Sequence, residues 1–121
     1  MRRLKTSELT VWRSGRISAN GGHCPLCQAV VKSPCADHDH ATGVMRDTIC
    51  RSCNSGLGQI ERAVSRFGIP NLSAFLHGAA AYIQKHTTPQ HQLLHPTFKT
   101  EEEKRVARNT AAKKRRLKAK D

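Results

Sequence analysis

Two short stretches of this 121-residue chain carry side chains suited to chemistry: DHDH at 37–40 and CRSCN at 50–54. Asp37 and Asn54 each offer an oxygen, the ligand type that Mg2+ and Mn2+ prefer. Two protein oxygens leave coordination positions for water and phosphate oxygens, as phosphodiester hydrolysis requires. His38 carries an imidazole, which exchanges a proton near neutral pH and suits a general base acting on the attacking water. The pattern therefore predicts metal-assisted hydrolysis. The alternative is that DHDH forms a solvated turn or an adventitious metal-binding patch.

Four of the five cysteines form two C-x-x-C pairs, Cys24 with Cys27 and Cys50 with Cys53. In a reducing compartment, such pairs indicate one tetrahedral zinc site rather than disulfides. Four thiolates fill every position of that site, so this zinc is predicted to be structural, with binding energy that contributes to folding. A redox dithiol is the alternative, but it does not explain two matched pairs. Cys35 is left over and is predicted to be a small packed residue rather than a ligand.

The position of Asn54, directly after Cys53, links the two kinds of site. Zinc held by the second cysteine pair would fix the helix that carries Asn54 beside the hairpin that carries Asp37. The sequence therefore predicts that a structural metal pre-organises a catalytic one.

Turn and cap residues divide the chain into short elements. Periodicity and capping predict a helix capped by Ser7, a strand at 29–33 ended by Pro34, a hairpin turning at Thr42 and Gly43, and a helix from about residue 50 to Gly68. A further helix at 71–86, capped by Asn71 or Ser73, has an apolar stripe. Trp12 is predicted to lie in the core, and the last segment is predicted to be a charged helix that is frayed or disordered until it meets a polyanion.

The net charge of +12 is concentrated at the two ends of the chain. Residues 1–16 carry five basic and one acidic residue, and residues 99–121 carry ten basic and four acidic ones. Residues 17–98 carry six basic and four acidic residues and are nearly neutral. Basic ends of this kind are typical of proteins that bind nucleic acid, although a solubilising charged tail is the alternative.

Composition also limits the class of protein. The few aromatic residues indicate a thin core that needs a staple such as zinc. No apolar run approaches membrane-spanning length, and the N-terminal stretch has basic residues without an apolar h-region. A cytoplasmic location is therefore expected.

The stretch from Cys24 to Gln59, which includes CPLC and DHDHATGVMRDTICRSCNSGLG, resembles the phage recombination endonuclease VII family, a branch of the HNH (ββα-metal) nucleases. The resemblance is looser through the 71–86 helix to HPTF at 95–98. It implies a small zinc-stapled α+β fold, with a ββα-metal core, flanking helices and a basic C-terminal tail. The domains implied are a basic N-terminal arm or short helix (1–19), the zinc-bound nuclease core (20–68), a helix and linker that are a candidate for dimerisation (69–98) and the basic helical or disordered tail (99–121).

The resemblance also implies roles for individual residues. Asp37 and Asn54 hold the catalytic Mg2+ or Mn2+, His38 is the general base, and His40 assists at the scissile phosphate. The zinc ligands implied by the family are the four paired cysteines: Cys24, Cys27, Cys50 and Cys53. Asp39 matches the motif as a residue that orients its neighbours. This chain departs from the family pattern at Leu57, where the junction resolvase has an acidic residue, and at Asp47, where glycine is frequent.

Three functions are compatible with these features. The first is a resolvase or debranching endonuclease that acts on branched DNA as a homodimer, with host cytoplasm as its location if it is phage-encoded. The second is a free-standing HNH nicking or homing endonuclease whose basic ends grip duplex phosphates, with Arg46 and Arg51 placed to meet the backbone. The third is a zinc DNA-binding module without catalysis, against which intact Asp37, His38 and Asn54 argue.

Overall fold

The computed structural model describes residues 1–120 and divides the chain into two units, Met1–Ala79 and a second that begins at Ala80. The elements, in chain order, are α1 (Thr6–Ala19), β1 (Pro34–His38), β2 (Met45–Cys50), α2 (Arg51–Arg66), α3 (Leu72–Lys85) and α4 (Glu101–Lys120). The fold is a small α+β arrangement with one two-stranded sheet, as the sequence predicts. The proposed boundaries of the four predicted domains stay a prediction, and Asp121 of the predicted tail lies outside the described residues.

β1 and β2 form an antiparallel hairpin with one irregular step. Pro34 pairs with Cys50 and Ala36 with Thr48, but His38 pairs with Met45, so the register shifts by one residue. Two residues of β2, Arg46 and Asp47, therefore lie opposite Asp37 alone. Such a bulge changes the direction in which nearby side chains point. Here it allows Arg46 and Asp47 to make two different contacts, one on each side of the hairpin.

The predicted strand at 29–33 is wrong. Gln28 and Ser33 have positive φ values of 66° and 49°, which bend the chain on either side of the segment. Val30 makes only an isolated bridge with His23, and Val31 packs against the buried cluster that contains Cys24 and Cys50. The regular strand begins at Pro34, a position that suits proline because the first residue of a strand can do without an N–H donor.

The N-terminal helix is longer than predicted, and Ser7 is not its cap. The backbone N–H of Lys5 donates to Glu8 Oε2 at 2.7 Å, so Glu8 closes the first turn from the N3 position. Arg2 donates to the same carboxylate at 2.9 Å, which lowers the pKa of Glu8 together with the larger effect of the Lys5 N–H. Trp12 lies half-buried rather than in the core.

α1 is fastened to β2 through Asp47, a residue the sequence singled out only as a departure from the family. Arg16 Nε and Asn20 Nδ2 donate to Asp47 Oδ1 at 3.1 and 3.0 Å. Beside it, Thr48 Oγ1 donates to the carbonyl of Arg13 at 3.0 Å. The junction between α1 and β2 has few large apolar side chains. The polar contacts of Asp47 therefore hold the two elements together where apolar packing is lacking.

We expect Asp47→Ala to destabilise the first unit by about 1–3 kcal/mol, because it leaves the half-buried side-chain donors of Arg16 and Asn20 without their acceptor. Arg16 lowers the pKa of Asp47. This contribution is therefore present above the unfolded-state pKa of about 4 and is lost as pH falls through the lower folded-state value. Denaturant unfolding of the zinc-loaded chain, followed by Trp12 fluorescence at pH 7, where this contribution is fully present, measures the loss. Glu102→Ala, which removes an exposed pair with Arg105, is the matched control and should leave the midpoint unchanged. A midpoint for Asp47→Ala equal to that of wild type at pH 7 would show that α1 does not depend on this contact.

α2 begins where β2 ends, and both of its predicted limits are close to those observed. Its last turn closes at Phe67, and Gly68 follows with a φ of 71°, the left-handed conformation that glycine adopts without strain. The next helix is capped as predicted, since Asn71 Oδ1 accepts the N–H of Ala74 at 2.9 Å. The predicted Gly68 stop and Asn71 cap are thus confirmed.

The core of the first unit is small and is centred on the cysteines. Cys24, Ile49 and Cys50 are almost fully buried, with Val31 and Cys53 packed against them. Val64 is the buried residue of α2. Much of the apolar surface of the following segment stays exposed, with Phe67 71% exposed and Phe75 43%. A core of this size depends on an additional source of stability.

In the second unit, α4 is a charged helix, as predicted. Thr100 caps it, accepting the N–H of Glu103 at 3.1 Å, and three glutamates lie in its first turn. Lys118 and Lys120 lie in its last turn, so both ends match the helix dipole.

Among residues 1–120, no helix is both long enough and apolar enough to cross a membrane.

Candidate metal centre and adjoining polar site

The four paired cysteines meet in space. The sulfurs of Cys24, Cys27, Cys50 and Cys53 all lie within 4.8 Å of one another. Cys27 Sγ and Cys50 Sγ are 3.9 Å apart. Four sulfurs at ~2.3 Å from a tetrahedral zinc would be separated by about 3.8 Å, so the cluster fits zinc closely. Cys35 lies outside it, and its thiol donates weakly to the Ser33 carbonyl instead.

Backbone donors also favour a thiolate cluster. The N–H of Lys32 points at Cys50 Sγ from 3.4 Å. Burial raises the pKa of Cys24, but N–H groups of Cys27, Cys50 and Leu26 outweigh it and bring that pKa down to about 6. Burial and the neighbouring thiols raise the pKa of Cys53 to about 12. Four thiolates so close together would need a compensating positive charge, which a zinc ion bound by them would supply.

The histidines of the DHDH motif lie at the open end of the hairpin. His38 ends β1 and His40 lies in the turn, and their rings are 4.7 Å apart. Both are exposed, so a substrate can reach them. Asp39 shapes the turn: its Oδ1 accepts the N–H groups of Ala41 and Thr42 at 2.8 and 3.1 Å. These donors lower the pKa of Asp39, and its role is to fix the loop that carries His40.

Asp37 is buried, and its charge is compensated by one arginine. Only 5% of Asp37 is exposed, and Arg46 Nε and Nη2 donate to its two oxygens at 2.6 and 3.1 Å. The same Nη2 donates to Glu61 Oε1 on α2 at 3.0 Å. The pair with Asp37 raises the pKa of Arg46, and Glu61 adds to the effect. The guanidinium therefore links the bulge of the hairpin to α2.

The position of Glu61 shows which face of α2 is turned toward Asp37. Asn54 and Glu61 are seven residues apart, almost two helical turns, so they project from the same side of α2. Because Glu61 reaches Asp37 through a single guanidinium, that side faces the hairpin. Asn54 lies half-buried in the first turn, and its side chain makes no hydrogen bond within residues 1–120.

The Asp37 carboxylate and the Asn54 amide fit a hard divalent ion by donor chemistry. A carboxylate offers about four lone-pair directions, and Arg46 occupies one on each oxygen. Asp37 thus keeps acceptor capacity for a metal while paired.

The sequence predicts the four cysteines and the DHDH motif as site residues, but it does not predict the roles of Arg46 and Glu61. Arg46 was interpreted as a contact for the DNA backbone, whereas the structure pairs it with Asp37 and Glu61. The one signal for Glu61 was its spacing of seven residues from Asn54. That spacing has meaning only once a partner across the hairpin is known.

A basic groove lies beside the hairpin turn. It has a volume of about 610 Å3 and is formed by residues 1–6, Leu9, Trp12 and the turn at 42–45. Arg2, Arg3 and Lys5 line it. Positively charged side chains therefore lie beside the hairpin turn that contains His40.

Comparison with known proteins identifies one family. A family model described as recombination endonuclease VII matches residues 2–85, which include the cysteine cluster, the hairpin and α2. A search of curated proteins found no match to the chain.

Proposed function

The chain belongs to the recombination endonuclease VII family, and on this premise we propose that it is a metal-dependent endodeoxyribonuclease that hydrolyses phosphodiester bonds in branched DNA. The observation that carries the proposal is the arrangement of two sites on one short unit. The cysteine cluster joins the loop after α1, the end of β2 and the start of α2. Asn54 follows the last of these cysteines, and Asp37, His38 and His40 lie on the paired strand and its turn.

Each residue has a role that its position supports. Asp37 and Asn54 would hold Mg2+ or Mn2+, which would supply positive charge for the pentacoordinate phosphate and the leaving oxygen. His38, exposed at the end of β1, removes the proton from the attacking water. His40, 4.7 Å from His38 between ring centres, assists at the scissile phosphate. Zinc would remain structural, because four thiolates leave it no open position.

DNA would be held mainly through phosphates. Basic side chains line the groove beside the hairpin turn, and α4 carries a run of lysine and arginine toward its C-terminal end. Contacts of this type bind the backbone without reading bases, so we propose low sequence specificity and strong salt dependence.

We further propose that two copies pair through the segment that follows α2. Phe67 and Phe75 are exposed in the first unit, and the single chain offers little core to cover them. Two active sites would then cut two strands of one junction. Sedimentation equilibrium tests this directly, and a monomer at micromolar concentration would argue for a nicking enzyme instead.

Cleavage by the zinc-loaded wild type tests the main proposal. The substrates are a labelled four-way junction and a linear duplex that shares one strand with it, each with Mg2+, with Mn2+ and without added divalent ion. We expect the junction to be cut only with Mg2+ or Mn2+, at least tenfold faster than the duplex, with zinc content constant throughout. Equal cleavage of both DNAs would favour a nicking or homing enzyme. Binding without cleavage of either would favour a non-catalytic zinc module.

A further inference from the structure

One ion pair has no part in the roles proposed above, and it is the pair between Arg46 and Asp37. Arg46 binds both oxygens of the same carboxylate that is proposed to hold the catalytic ion. Asp37 is 5% exposed, and a carboxylate so buried needs a compensating cation. When no divalent ion is bound, Arg46 supplies that charge.

Binding of a divalent ion changes this balance of charge. Asp37 and Glu61 carry two negative charges and Arg46 one positive charge, which leaves the group at −1. A divalent ion on Asp37 brings two positive charges to a carboxylate that already has a cation beside it. Repulsion between the two cations weakens the bonds from Arg46 to Asp37.

Glu61 provides the second position for the arginine. Its carboxylate accepts from Arg46 Nη2 at 3.0 Å, and its side chain is 22% exposed, so the pair is partly shielded from water. Of the five N–H donors of Arg46, three are used in these contacts, and the two on Nη1 have no partner within residues 1–120. The guanidinium can therefore shift toward Glu61 without losing all its acceptors.

We propose that Arg46 is an internal cation that competes with the divalent ion for Asp37, and that Glu61 is the positioning residue that holds Arg46 when the ion binds. This inference rests on the proposed function, because it takes Asp37 as a metal ligand. The affinity for the divalent ion is then set by how much more strongly Asp37 binds the ion than it binds Arg46. It also assigns opposite effects to the two partners of the ion pair.

The test is Mn2+ binding to the zinc-loaded full chain without DNA, measured by the loss of the free Mn2+ signal in electron paramagnetic resonance. Arg46→Met removes the competitor while keeping an unbranched side-chain stem, and we expect Mn2+ to bind about tenfold more tightly. Glu61→Gln removes the negative charge that attracts Arg46 while keeping a neutral acceptor oxygen, and we expect binding about tenfold weaker. Arg46→Lys should lie between wild type and Arg46→Met, because an ammonium lacks the planar fork that spans two carboxylates.

Thermal melting supplies a second readout. Without Mn2+, Arg46→Met should melt below wild type, since Asp37 then lacks its cation, and added Mn2+ should raise its melting temperature more than it raises that of wild type. A purely structural role for Arg46 predicts the reverse, with weaker Mn2+ binding and no additional stabilisation. Weaker or unchanged Mn2+ affinity in both Arg46→Met and Arg46→Lys overturns the inference.

Asp37→Asn separates failure of this inference from failure of the proposed function. If wild type binds Mn2+ and Asp37→Asn does not, Asp37 is a ligand, and the arginine variants decide the inference alone. If Asp37→Asn binds Mn2+ as tightly as wild type, the proposed metal site is wrong and the inference falls with it.

Discussion

Removal of zinc is expected to unfold the first unit. The buried residues around which it packs are Cys24, Ile49 and Cys50, so the cluster and the core are largely the same set of atoms. Structural zinc sites contribute about 10–16 kcal/mol of apparent binding energy in small zinc-dependent folds. A core with so few large apolar side chains supplies at most ~5 kcal/mol of stability without zinc. Removal of zinc therefore costs more stabilising free energy than the rest of the core supplies, so the unit unfolds.

Cys24→Ser is the variant that tests this, because Cys24 is fully buried within the cluster. We expect no bound zinc at stoichiometric concentration and no cooperative unfolding transition in Trp12 fluorescence. The far-ultraviolet circular dichroism signal should fall only in part, since α4 belongs to the second unit. Chelation of the wild-type zinc by a high-affinity chelator should give the same result, reversed by added zinc.

Cys35→Ser is the matched control. Cys35 lies in β1, where it pairs with Ile49, but outside the cluster, and its thiol makes only a weak contact to Ser33. It should bind zinc and melt like wild type. A cooperative transition in Cys24→Ser at the wild-type temperature would show that the apolar contacts alone hold the unit together.

The features that sequence predicted well are those determined by residues close together in the chain. Cys-x-x-C spacing fixes two sulfurs on one tight turn, so the cluster follows once two such turns exist. The stop at Gly68 and the cap at Asn71 act on their own helices within one turn. Local chemistry of this kind needs no knowledge of the fold.

The features that sequence missed depend on contacts across the fold. Asp47 meets Arg16 from 31 positions away, and Arg46 meets Glu61 across 15. Both contacts depend on a bulge that sets two residues of β2 opposite Asp37, and alternation along a strand does not reveal an inserted residue. The strand at 29–33 failed for a related reason: β-branched residues favour extension, but positive φ values at its borders turn the segment around the cysteines.

His38→Ala is expected to abolish cleavage while leaving fold and zinc intact. His38 is exposed at the end of β1, so truncation creates no cavity and breaks no hydrogen bond within the described residues. Loss of a general base costs about 100- to 10,000-fold in rate. Single-turnover cleavage of a four-way junction in Mg2+ measures the loss, and DNA binding, zinc content and melting temperature should match wild type. His91→Ala, which changes an exposed histidine of the second unit, is the control and should cleave at the wild-type rate.

The same experiment can tell a proton-transfer role from simple positioning. If His38 removes the proton from water, free imidazole can enter the space left by alanine and restore part of the rate, with a dependence on imidazole concentration. His40→Ala leaves the proposed base in place and should reduce the rate less, because the role proposed for His40 is at the phosphate rather than on the nucleophile. Cleavage by His38→Ala at the wild-type rate would remove His38 from the mechanism. Equal losses in both variants without rescue would mean that the pair of tilted rings, with centroids 4.7 Å apart, acts as one structural unit.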